Sequence, residues 1–530
     1  MHKFFSFFAL AVVLGLTGCT STNPATGERV FSLVGTETEL QMGKDVVDKA
    51  IKQDGLYKEK PNLTNYYRNL GDALIKVTER QDIPYNFVML NAATMNAWAI
   101  PGYINMYRGI LPYFNSEAEF MAVLAHEAGH ITARHTARQF SRGTVANLLL
   151  TGASIAVGAQ TGSDSAVKAT QQLGGMAAQA ALSGYSRSYE READDLAMRY
   201  MQRLGYDPRQ AYHVFETFDH SKKLYESQYK LLHNGQTPPR IPFYNVFLSH
   251  PDPKERMQRV VEAHGKPDGS LRLPQGIKPA TPANDPHGQK RYFDKIDGIA
   301  VGPMPEDGVR GKDILYHEDG RFIWNTPAGS YFAPMGGLWQ GITPDNVHIT
   351  MNAAELQDSE DEMDPEELLR RAFPGSYDFT RVDVQGRLGY LARYNAPQPF
   401  SFNDTLRGDM ILAAVPTGRA DPDRIKMRRF IIFTFKPYNG QTDAAFMAKA
   451  EAAVQNIRYL GRSAAERIEP LRLDIRTVQP GDTFQKLASK LPMNRMNEVY
   501  FSAINRITPD SPLVPGMMYK AVIDPNIGKF

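Results

Sequence analysis

The string His126-Glu127-Ala128-Gly129-His130 is the feature that most limits how this chain can fold. Histidines four residues apart project from one face of a helix, so both imidazoles reach a single ion only if the segment is helical. The flanking sequence predicts that helix, because Ser116 and Glu119 form a capping-box pattern and apolar residues follow at helical spacing. The string therefore predicts a metal site on a rigid helix. The alternative is a chance string on a surface helix.

A second helix offers further ligands. It is predicted from about Ser188 to Leu204, with Gly205 as its stop, and contains the sequence YEREADD. A catalytic zinc site needs a third protein ligand, for which Glu190 is the candidate. Asp194 lies one turn further along the same face, where it would accept a hydrogen bond from the outer nitrogen of a metal-bound histidine. The alternative is a solvated charged face, and two helices of metal-ligating spacing together argue against it.

These residues predict hydrolytic chemistry. With His126, His130 and Glu190 as ligands, one zinc ion per chain keeps an open coordination position, and zinc lowers the pKa of water bound there to about 7. Glu127 stands beside that position and is the expected general base.

Four segments in order resemble the CAAX prenyl endoprotease and HtpX family of zinc metallopeptidases. They are NAWAIPGYINMYRGIL, EFMAVLAHEAGH, SRSYEREAD and SHPDPKER. The resemblance covers about residues 35–265. It implies a mainly helical, zincin-type (gluzincin-like) domain with a small sheet, in which His126, His130 and Glu190 bind zinc and Asp194 is the aspartate of the family's ExxxD motif.

The family's HP…R element corresponds to His250 and Arg256. The resemblance implies that they contact the substrate carbonyl or stabilise the oxyanion. One alternative is a loop histidine before Pro251 and an exposed helix arginine. Another is that His250 fills the open zinc position in a resting state.

The segment before the first zinc helix is the candidate substrate-binding element. The run from Tyr103 to Met106 reads as a strand, and in the wider zinc-protease class the strand beside this helix binds an extended peptide by edge pairing. Relatives often carry Pro-Gly-Gly where this chain has Pro101-Gly102-Tyr103, so Tyr103 would narrow a subsite. The alternative is a strand packed in the core. The candidate contacts are Asn96, Ala97, Tyr103, Ile104 and Asn105.

Residues 1–18 resemble a bacterial lipoprotein signal peptide. Lys3 precedes an apolar run too short to span a bilayer, and Leu-Thr-Gly-Cys follows, ending at Cys19. Cys19 is the only cysteine in the chain, which excludes an intrachain disulfide and, once Cys19 is lipidated, a cysteine nucleophile. Thr20 after the cysteine favours the outer membrane, by resemblance to Gram-negative lipoproteins. We therefore predict lipidation at Cys19, a tether over residues 19–34 and a lipid-anchored enzyme on the periplasmic face of the outer membrane.

Composition limits the partners. A formal net charge of +2 with 22% charged residues gives no case for nucleic-acid binding. The apolar stretch 145–158 is shorter than the roughly 20 residues that a spanning helix needs. With its continuation to residue 182 it is either a flap over the cleft or a helical hairpin packed on the domain.

The pattern changes after His264. Residues 266–290 are rich in Pro and Gly and read as a linker. Residues 291–465 then read as an α+β module of unknown role, with a hairpin turn at Asp319-Gly320 and helices near 365–372 and 443–460. Its aromatic residues form either a binding face or the core. They are Trp324, Tyr331, Phe332 and Trp339.

Residues 470–525 resemble a LysM domain of βααβ fold, on the segments TVQPGDTFQKLA, FSAINRI and LVPGMMYKAV. In other proteins LysM binds N-acetylglucosamine polymers, so Asp482 and Thr483 are candidate glycan contacts and peptidoglycan a candidate partner. The alternative is that both residues form turns.

The sequence therefore predicts an α+β multidomain protein. Its predicted function is zinc-dependent hydrolysis of extended, unfolded or misassembled envelope polypeptides. The alternative from another class is a peptidoglycan-binding or chaperone-like lipoprotein with a self-inhibited protease site, and the intact Glu127 argues against it.

Overall fold

The computed structural model describes most of the chain outside the N-terminal segment. Cys19, His250 and the apolar stretch 145–158 lie outside the described residues, so the predictions made for them stay predictions. The described ranges are 20–144, 185–238, 253–267, 273–335, 337–356, 362–375, 377–396, 408–419, 428–438 and 441–530.

The protein is an α+β protein with two compact units. The first comprises residues 1–219 and 241–297, and the second comprises residues 220–240 and 298–530. Over the described ranges, we find no helix with the length and apolar character that crossing a bilayer requires.

The first unit is mainly helical, as predicted. Its helix α1 begins at Thr36 after Gly35, which has no side chain to cap it. The carboxylate of Glu39 in the first turn pairs with the buried guanidinium of Arg80 at 2.5 Å. The helices of this unit are α1 (Thr36–Asp54), α2 (Pro61–Ile75), α3 (Glu117–Thr132), α4 (Arg187–Leu204), the start of α5 (Gln210–Leu232), α6 (Pro253–His264) and α7 (Gln289–Ile296).

Helix α3 begins, and helix α4 ends, where the sequence predicts. The hydroxyl of Ser116 accepts from the Glu119 backbone N–H, which confirms the cap of α3. The Glu119 carboxylate accepts from the backbone of Asn115, one residue before the usual partner in a capping box. Helix α4 ends at Gly205 with φ of 87°, a left-handed cap that favours glycine.

A three-stranded sheet lies beside α3, and its strand order corrects one prediction. Strand β5 is central, paired in parallel with β3 and antiparallel with β4, so both of its edges are occupied. Edge pairing of a substrate with Tyr103, Ile104 and Asn105 is therefore wrong, because a paired strand has no backbone groups left for a peptide. The strands are β3 (Asn86–Leu90), β4 (Ala97–Ile100) and β5 (Tyr103–Tyr107).

Described residues of the predicted linker pack within the first unit. The backbone carbonyls of His287 and Gly288 accept from the first turn of α3, and Tyr292 of α7 donates to the Leu111 carbonyl at 2.9 Å. Tyr292, Phe293 and Ile296 are buried. The break between units falls after Asp297, later than the predicted boundary, because Pro/Gly-rich sequence shows irregular backbone but not what that backbone packs on.

The predicted tether is partly folded. Strands β1 (Thr20–Thr22) and β2 (Arg29–Phe31) form an antiparallel hairpin. The Asn23 amide donates to Glu192 of α4 at 2.7 Å, and the Leu33 backbone donates to the Ser141 hydroxyl at 2.8 Å. These contacts fix residues 20–34 to the first unit.

The second unit is built on a seven-stranded antiparallel sheet, in the order β10-β11-β12-β16-β15-β14-β13. Its strands are β10 (Tyr331–Met335), β11 (Leu338–Ile342), β12 (Val347–Glu355), β13 (Phe379–Val384), β14 (Arg387–Ala396), β15 (Gly408–Pro416) and β16 (Arg429–Pro437). A four-stranded sheet has the order β17-β9-β8-β7. Its strands are β7 (Val309–Gly311), β8 (Ile314–His317), β9 (Phe322–Asn325) and β17 (Ile457–Tyr459).

The aromatic strands of this unit form its core. Trp324 packs edge-on to Phe332 and Phe433, each with ring centroids 5.0 Å apart, and Tyr331 and Trp339 are also buried. Burial of this size stabilises the unit more than a solvent-facing aromatic patch would, so the core alternative is confirmed.

Local predictions in this unit hold with small changes. Strands β8 and β9 form the predicted hairpin, but the left-handed residue of its turn is Arg321, with φ of 49°, rather than Gly320. Helix α8 (Pro365–Ala372) is as predicted. Helix α9 (Ala444–Gln455) ends earlier than predicted, because residues 457–459 pair with β9 as strand β17. A short helix α10 (Arg462–Ala465) follows.

The last 60 residues have the element order strand, helix, helix, strand. Strands β18 and β19 pair antiparallel, and β6 (Ala300–Val301) adds to β18. The elements are β18 (Leu471–Thr477), α11 (Phe484–Ala488), α12 (Asn497–Asn505) and β19 (Met518–Ile523).

Candidate metal centre

Helices α3 and α4 pack closely enough to share one site. A Cβ atom on Gly129 would lie 3.1 Å from the carbonyl oxygen and 3.2 Å from the Cα of Ala193. The missing side chain therefore sets the separation of the helices, and that separation brings a carboxylate of α4 to the histidines of α3.

His126, His130 and Glu190 are buried and face one point. The two histidine Nε2 atoms are 3.0 Å apart, and the Glu190 carboxylate oxygens lie 3.5 Å from His126 Nε2 and 3.4 Å from His130 Nε2. Ligands about 2.0–2.1 Å from a tetrahedral zinc ion stand roughly 3.3 Å from one another. Two imidazole nitrogens and one carboxylate oxygen at this spacing are a donor set that fits zinc better than the all-oxygen preference of Ca²⁺ or Mg²⁺.

The outer nitrogen of His126 contacts Asp194. Nδ1 of His126 lies 2.9 Å from Asp194 Oδ1, and Arg256 donates from Nε to Oδ2 at 2.9 Å and from Nη2 to Oδ1 at 2.5 Å. The Arg256 guanidinium also lies 4.2 Å above the ring of Phe215. Asp194 thus holds the His126 ring while a bidentate arginine holds Asp194.

The charges in this group depend on one another. Burial opposes ionisation of Asp194, but Arg256 and His126 outweigh it and lower the pKa of Asp194 below its usual range. Burial also disfavours a charged His126, yet its hydrogen bonds to Asp194 and Glu190 raise its pKa to about 9. A divalent cation bound by these ligands would take the place of that proton.

Sequence reasoning missed the partners of His130. Its outer nitrogen Nδ1 lies 2.8 Å from Nδ1 of His135, whose Nε2 lies 3.1 Å from Glu192 Oε2. The signal was present as a third histidine five residues after His130, and as an acidic residue between Glu190 and Asp194. Neither has the spacing of a zinc ligand, so a search for ligands passes over both.

Two tyrosines form walls of the site. Tyr185 stacks on His130 with ring centroids 4.1 Å apart, and Tyr189 stacks on His135 at 4.4 Å. The Tyr185 hydroxyl lies 2.9 Å from Thr136 Oγ1. Their rings shield the imidazoles from solvent on one side.

Glu127 faces a mostly apolar cavity. The carboxylate is 2% exposed. The cavity volume of about 30 Å³ is enough for a water molecule. One strand and several helices line this cavity, with Ala97 of β4, Val123 of α3, Met198 of α4 and Phe215 of α5 among the lining residues. Charges in such a low-dielectric setting act more strongly than in water.

The other predicted site residues are placed as follows. Arg256 lines the same cavity as Glu127, and Ala97 lines it from the edge strand β4. The Asn96 backbone carbonyl accepts from Tyr107. In the second unit, Asp482 accepts from the Gln479 backbone and Thr483 caps α11. The last two side chains are thus occupied in a turn and a cap.

Comparison with known proteins finds a family match for the part of the chain that contains the candidate metal centre. Residues 61–264 match peptidase family M48. The beta-barrel assembly-enhancing protease of Escherichia coli K12 is 28% identical over 245 residues, which are 44% of this chain and 46% of that protein. The metalloprotease YcaL of the same organism is 26% identical over 253 residues, 46% of this chain and 91% of that protein.

A eukaryotic relative matches a stretch of similar length. The mitochondrial metalloendopeptidase OMA1 of Schizosaccharomyces pombe is 25% identical over 244 residues, 45% of this chain and 65% of that protein. The chain spans about half the length of the beta-barrel assembly-enhancing proteases that it matches.

Proposed function

Residues 61–264 are a peptidase family M48 domain, and from this premise we propose that the protein is a zinc-dependent endopeptidase of the bacterial cell envelope. Its proposed reaction is hydrolysis of peptide bonds in extended segments of unfolded or misassembled envelope proteins.

One observation carries this proposal. Three buried ligand atoms of the right chemistry converge on one point, and the carboxylate of Glu127 comes from the same turn of α3 as the first ligand, His126. A structural zinc site would be closed by a fourth protein ligand. Among the described residues the cluster holds three, the number of protein ligands in a catalytic site, and His250, the candidate for the fourth position in a resting state, lies outside them.

The roles of the residues follow from their positions. When bound by His126, His130 and Glu190, zinc supplies Lewis-acid chemistry, polarising a carbonyl and acidifying a water molecule. Glu127 takes the proton of the attacking water and later delivers it to the leaving amine. Asp194 fixes the ring of His126 through its Nδ1 atom.

Arg256 and His250 are our candidates for contact with the substrate carbonyl or the oxyanion. Arg256 brings a fixed positive charge to the cavity that Glu127 lines. Its Nε and Nη2 donate to Asp194, and Nη1 lies 3.8 Å from Glu190 Oε2. A cation held this firmly needs no reorganisation when negative charge develops on the substrate.

Strand β4 replaces β5 as the proposed substrate strand. It is an edge strand whose one described partner is β5, and its first residue Ala97 lines the cavity beside Glu127. A peptide that pairs with β4 would be held extended by main-chain hydrogen bonds, which select a conformation rather than a sequence. This favours unfolded segments over folded proteins as substrates.

We further propose an envelope location with lipidation at Cys19. The sequence Leu-Thr-Gly-Cys supports this, as do the bacterial relatives named for β-barrel assembly. The strand-helix-helix-strand order of residues 471–523 supports a LysM-like fold for the C-terminal part. Asp482 and Thr483 form a turn and a cap in this fold, and their contact with glycan stays a proposal, as does peptidoglycan as a partner.

The test pairs metal analysis with a cleavage assay. Wild-type protein and Glu127→Gln should each hold one zinc ion per chain. Hydrolysis of casein and of an unfolded outer-membrane protein should fall about 10²- to 10⁴-fold in the variant, because only the proton transfer is removed. Glu262→Gln, an exposed change on α6, is the matched control and should keep full activity.

Two results would contradict the proposal. The first is a wild-type protein that binds no zinc. The second is a zinc-loaded wild type whose cleavage rate equals that of Glu127→Gln, which would support the self-inhibited lipoprotein instead.

A further inference from the structure

His130 has an unusual partner at its outer nitrogen. A metal-ligating histidine commonly donates this N–H to a carboxylate or carbonyl, as His126 does to Asp194. His130 instead contacts a second imidazole, with its Nδ1 atom 2.8 Å from Nδ1 of the fully buried His135. Two ring nitrogens at this distance share one proton, so one donates and the other accepts.

Glu192 decides which nitrogen donates. An ionised carboxylate only accepts hydrogen bonds, so the His135 Nε2 atom, 3.1 Å from Glu192 Oε2, carries a proton. A neutral His135 then has a lone pair on Nδ1 and accepts from Nδ1–H of His130. This leaves the lone pair of His130 on Nε2, the atom that faces Glu190 and His126.

The backbone is bent to place His135. Helix α3 stops at Thr132, Arg134 adopts a left-handed conformation with φ of 56°, and a second helical run covers 135–144. This conformation is unfavourable for a residue other than glycine. The Arg134 side chain compensates through contacts with Glu39 at 3.1 Å and the Val34 carbonyl at 3.2 Å. The bend lets a residue five positions after His130 fold back onto it.

Glu192 is fixed from three directions. Oε2 contacts His135 and accepts from Arg138 at 2.9 Å, and Oε1 accepts from the Asn23 amide at 2.7 Å. Tyr189 stacks on the His135 ring and Arg138 lies 4.4 Å above Tyr189. These contacts form one connected set of side chains that runs from Asn23 in the N-terminal hairpin through Glu192 and His135 to His130.

We propose that His135 is a positioning residue for the metal site, which together with Glu192 holds His130 in the one tautomer and ring orientation that binds zinc through Nε2. The inference rests on the proposed zinc site and adds residues that lie outside the ligand set. His135 touches neither metal nor substrate and acts through His130.

The test measures zinc affinity of the full-length protein by competition with a chromogenic chelator. His135→Phe keeps a ring against Tyr189 but removes the acceptor, and should weaken zinc binding about 10- to 100-fold. In His135→Asn the side-chain oxygen stands near the position of Nδ1 and should recover most of that loss. Glu262→Gln, an exposed change on α6, is the control and should bind zinc within twofold as tightly as wild type.

A double-mutant cycle separates the relay from general damage. Glu192→Ala should weaken zinc binding in wild type but add little to His135→Phe, since both act through one hydrogen-bonded chain. Fully additive losses would overturn the relay. If His135→Phe does not fold as judged by circular dichroism, the Glu192→Ala and His135→Asn affinities decide the question.

The outcomes also separate this inference from the proposed function. If wild type binds no zinc, the proposed function fails. If wild type binds zinc and His135→Phe binds it within twofold as tightly, only the role of His135 is refuted.

Discussion

At the scale of single residues, the metal ligands were open to prediction and their supports were not. His126 and His130 are four residues apart, a spacing that places both side chains on one face of a helix. Glu190 has the same spacing to Asp194 on a second helix. His135 and Glu192 have no such spacing. His135 reaches His130 because Arg134 takes a left-handed backbone conformation, which its residue type does not predict, and Glu192 contacts His135 from α4.

A buried histidine in the second unit gives a prediction for pH dependence. His348 on β12 is fully buried, and Lys436 is its cross-strand partner. The ring of His233 has its centroid 6.3 Å from that of His348, and Tyr438 lies 6.0 Å away. Burial first, and then the positive charges of His233 and Lys436, lower the pKa of His348 to about 3.

The sign follows from proton counting. Between pH 6.5 and 3 the unfolded chain binds a proton at His348 and the folded chain does not, so stability falls as the pH falls through this range. From pH 7 to 5 this amounts to about 2 kcal/mol for the unit that contains His348. His348→Leu should lose that part of the pH dependence. Denaturant unfolding of both proteins at pH 7 and pH 5 measures it, and the difference between the two pH values cancels any constant cost of the substitution. Equal pH dependence would contradict the assignment.

At the scale of elements, the contact between α3 and α4 decides the geometry of the site. Gly129 lies in the middle of that contact and between the two histidines of the ligand string. Close packing against Ala193 therefore favours glycine at this position, independently of metal binding. The backbone of Ala193 cannot move aside as the end of a flexible side chain can.

Replacing Gly129 should therefore affect both stability and metal. Gly129→Val should lower the free energy of unfolding by about 1–3 kcal/mol through overpacking, and should weaken zinc binding because Glu190 moves away from the histidines with α4. Thermal unfolding with and without chelator, together with zinc affinity, measures the two effects.

Gly143 supplies the control. It lies in the helical run 135–144, and a Cβ atom there meets no heavy atom within 4 Å. Gly143→Val should be neutral or slightly stabilising, because valine has a better helix propensity than glycine. If the two variants behave alike, close packing at Gly129 is not what holds the site.

At the scale of the whole molecule, the chain passes from the first unit to the larger part of the second at Gly298 rather than at the Pro/Gly-rich stretch. Segment 273–297 contributes three buried apolar side chains and two backbone acceptors at the start of α3. Composition indicated an irregular segment, and it is irregular up to α7. Its packing depends on distant residues such as Leu111, which no local pattern contains.

Truncation tests this boundary. A fragment of residues 20–297 should fold and bind zinc, whereas a fragment of residues 20–265 should be destabilised by several kcal/mol. The shorter fragment lacks Tyr292, Phe293 and Ile296, which each contribute roughly 1.5–3 kcal/mol by burial. Circular dichroism and limited proteolysis compare the two. Both contain residues 220–240, so the comparison isolates the last 32 residues. Equal stability would restore the earlier boundary.

Much of the architecture could be read from local signals, and the remainder depended on pairing over long distances. The caps at Ser116 and Gly205, the zinc helices and the aromatic core strands all follow from residue type and period. The strand order that places β5 in the centre does not. Strands β3, β4 and β5 look alike in sequence, and only their pairing shows which one has an open edge.

The hairpin at the start of the described chain has a consequence for working distance. Thr20 already pairs with Phe31, and Asn23 holds Glu192, a neighbour of the metal ligands. Four residues of extended chain reach at most about 14 Å. If Cys19 carries the acyl chains, at most this length separates the bilayer surface from Asn23. The Asn23 side chain contacts Glu192, one of the residues that support the metal ligand His130. The enzyme would then have no long flexible tether with which to reach into the periplasm, and would meet only those polypeptides that come to the membrane.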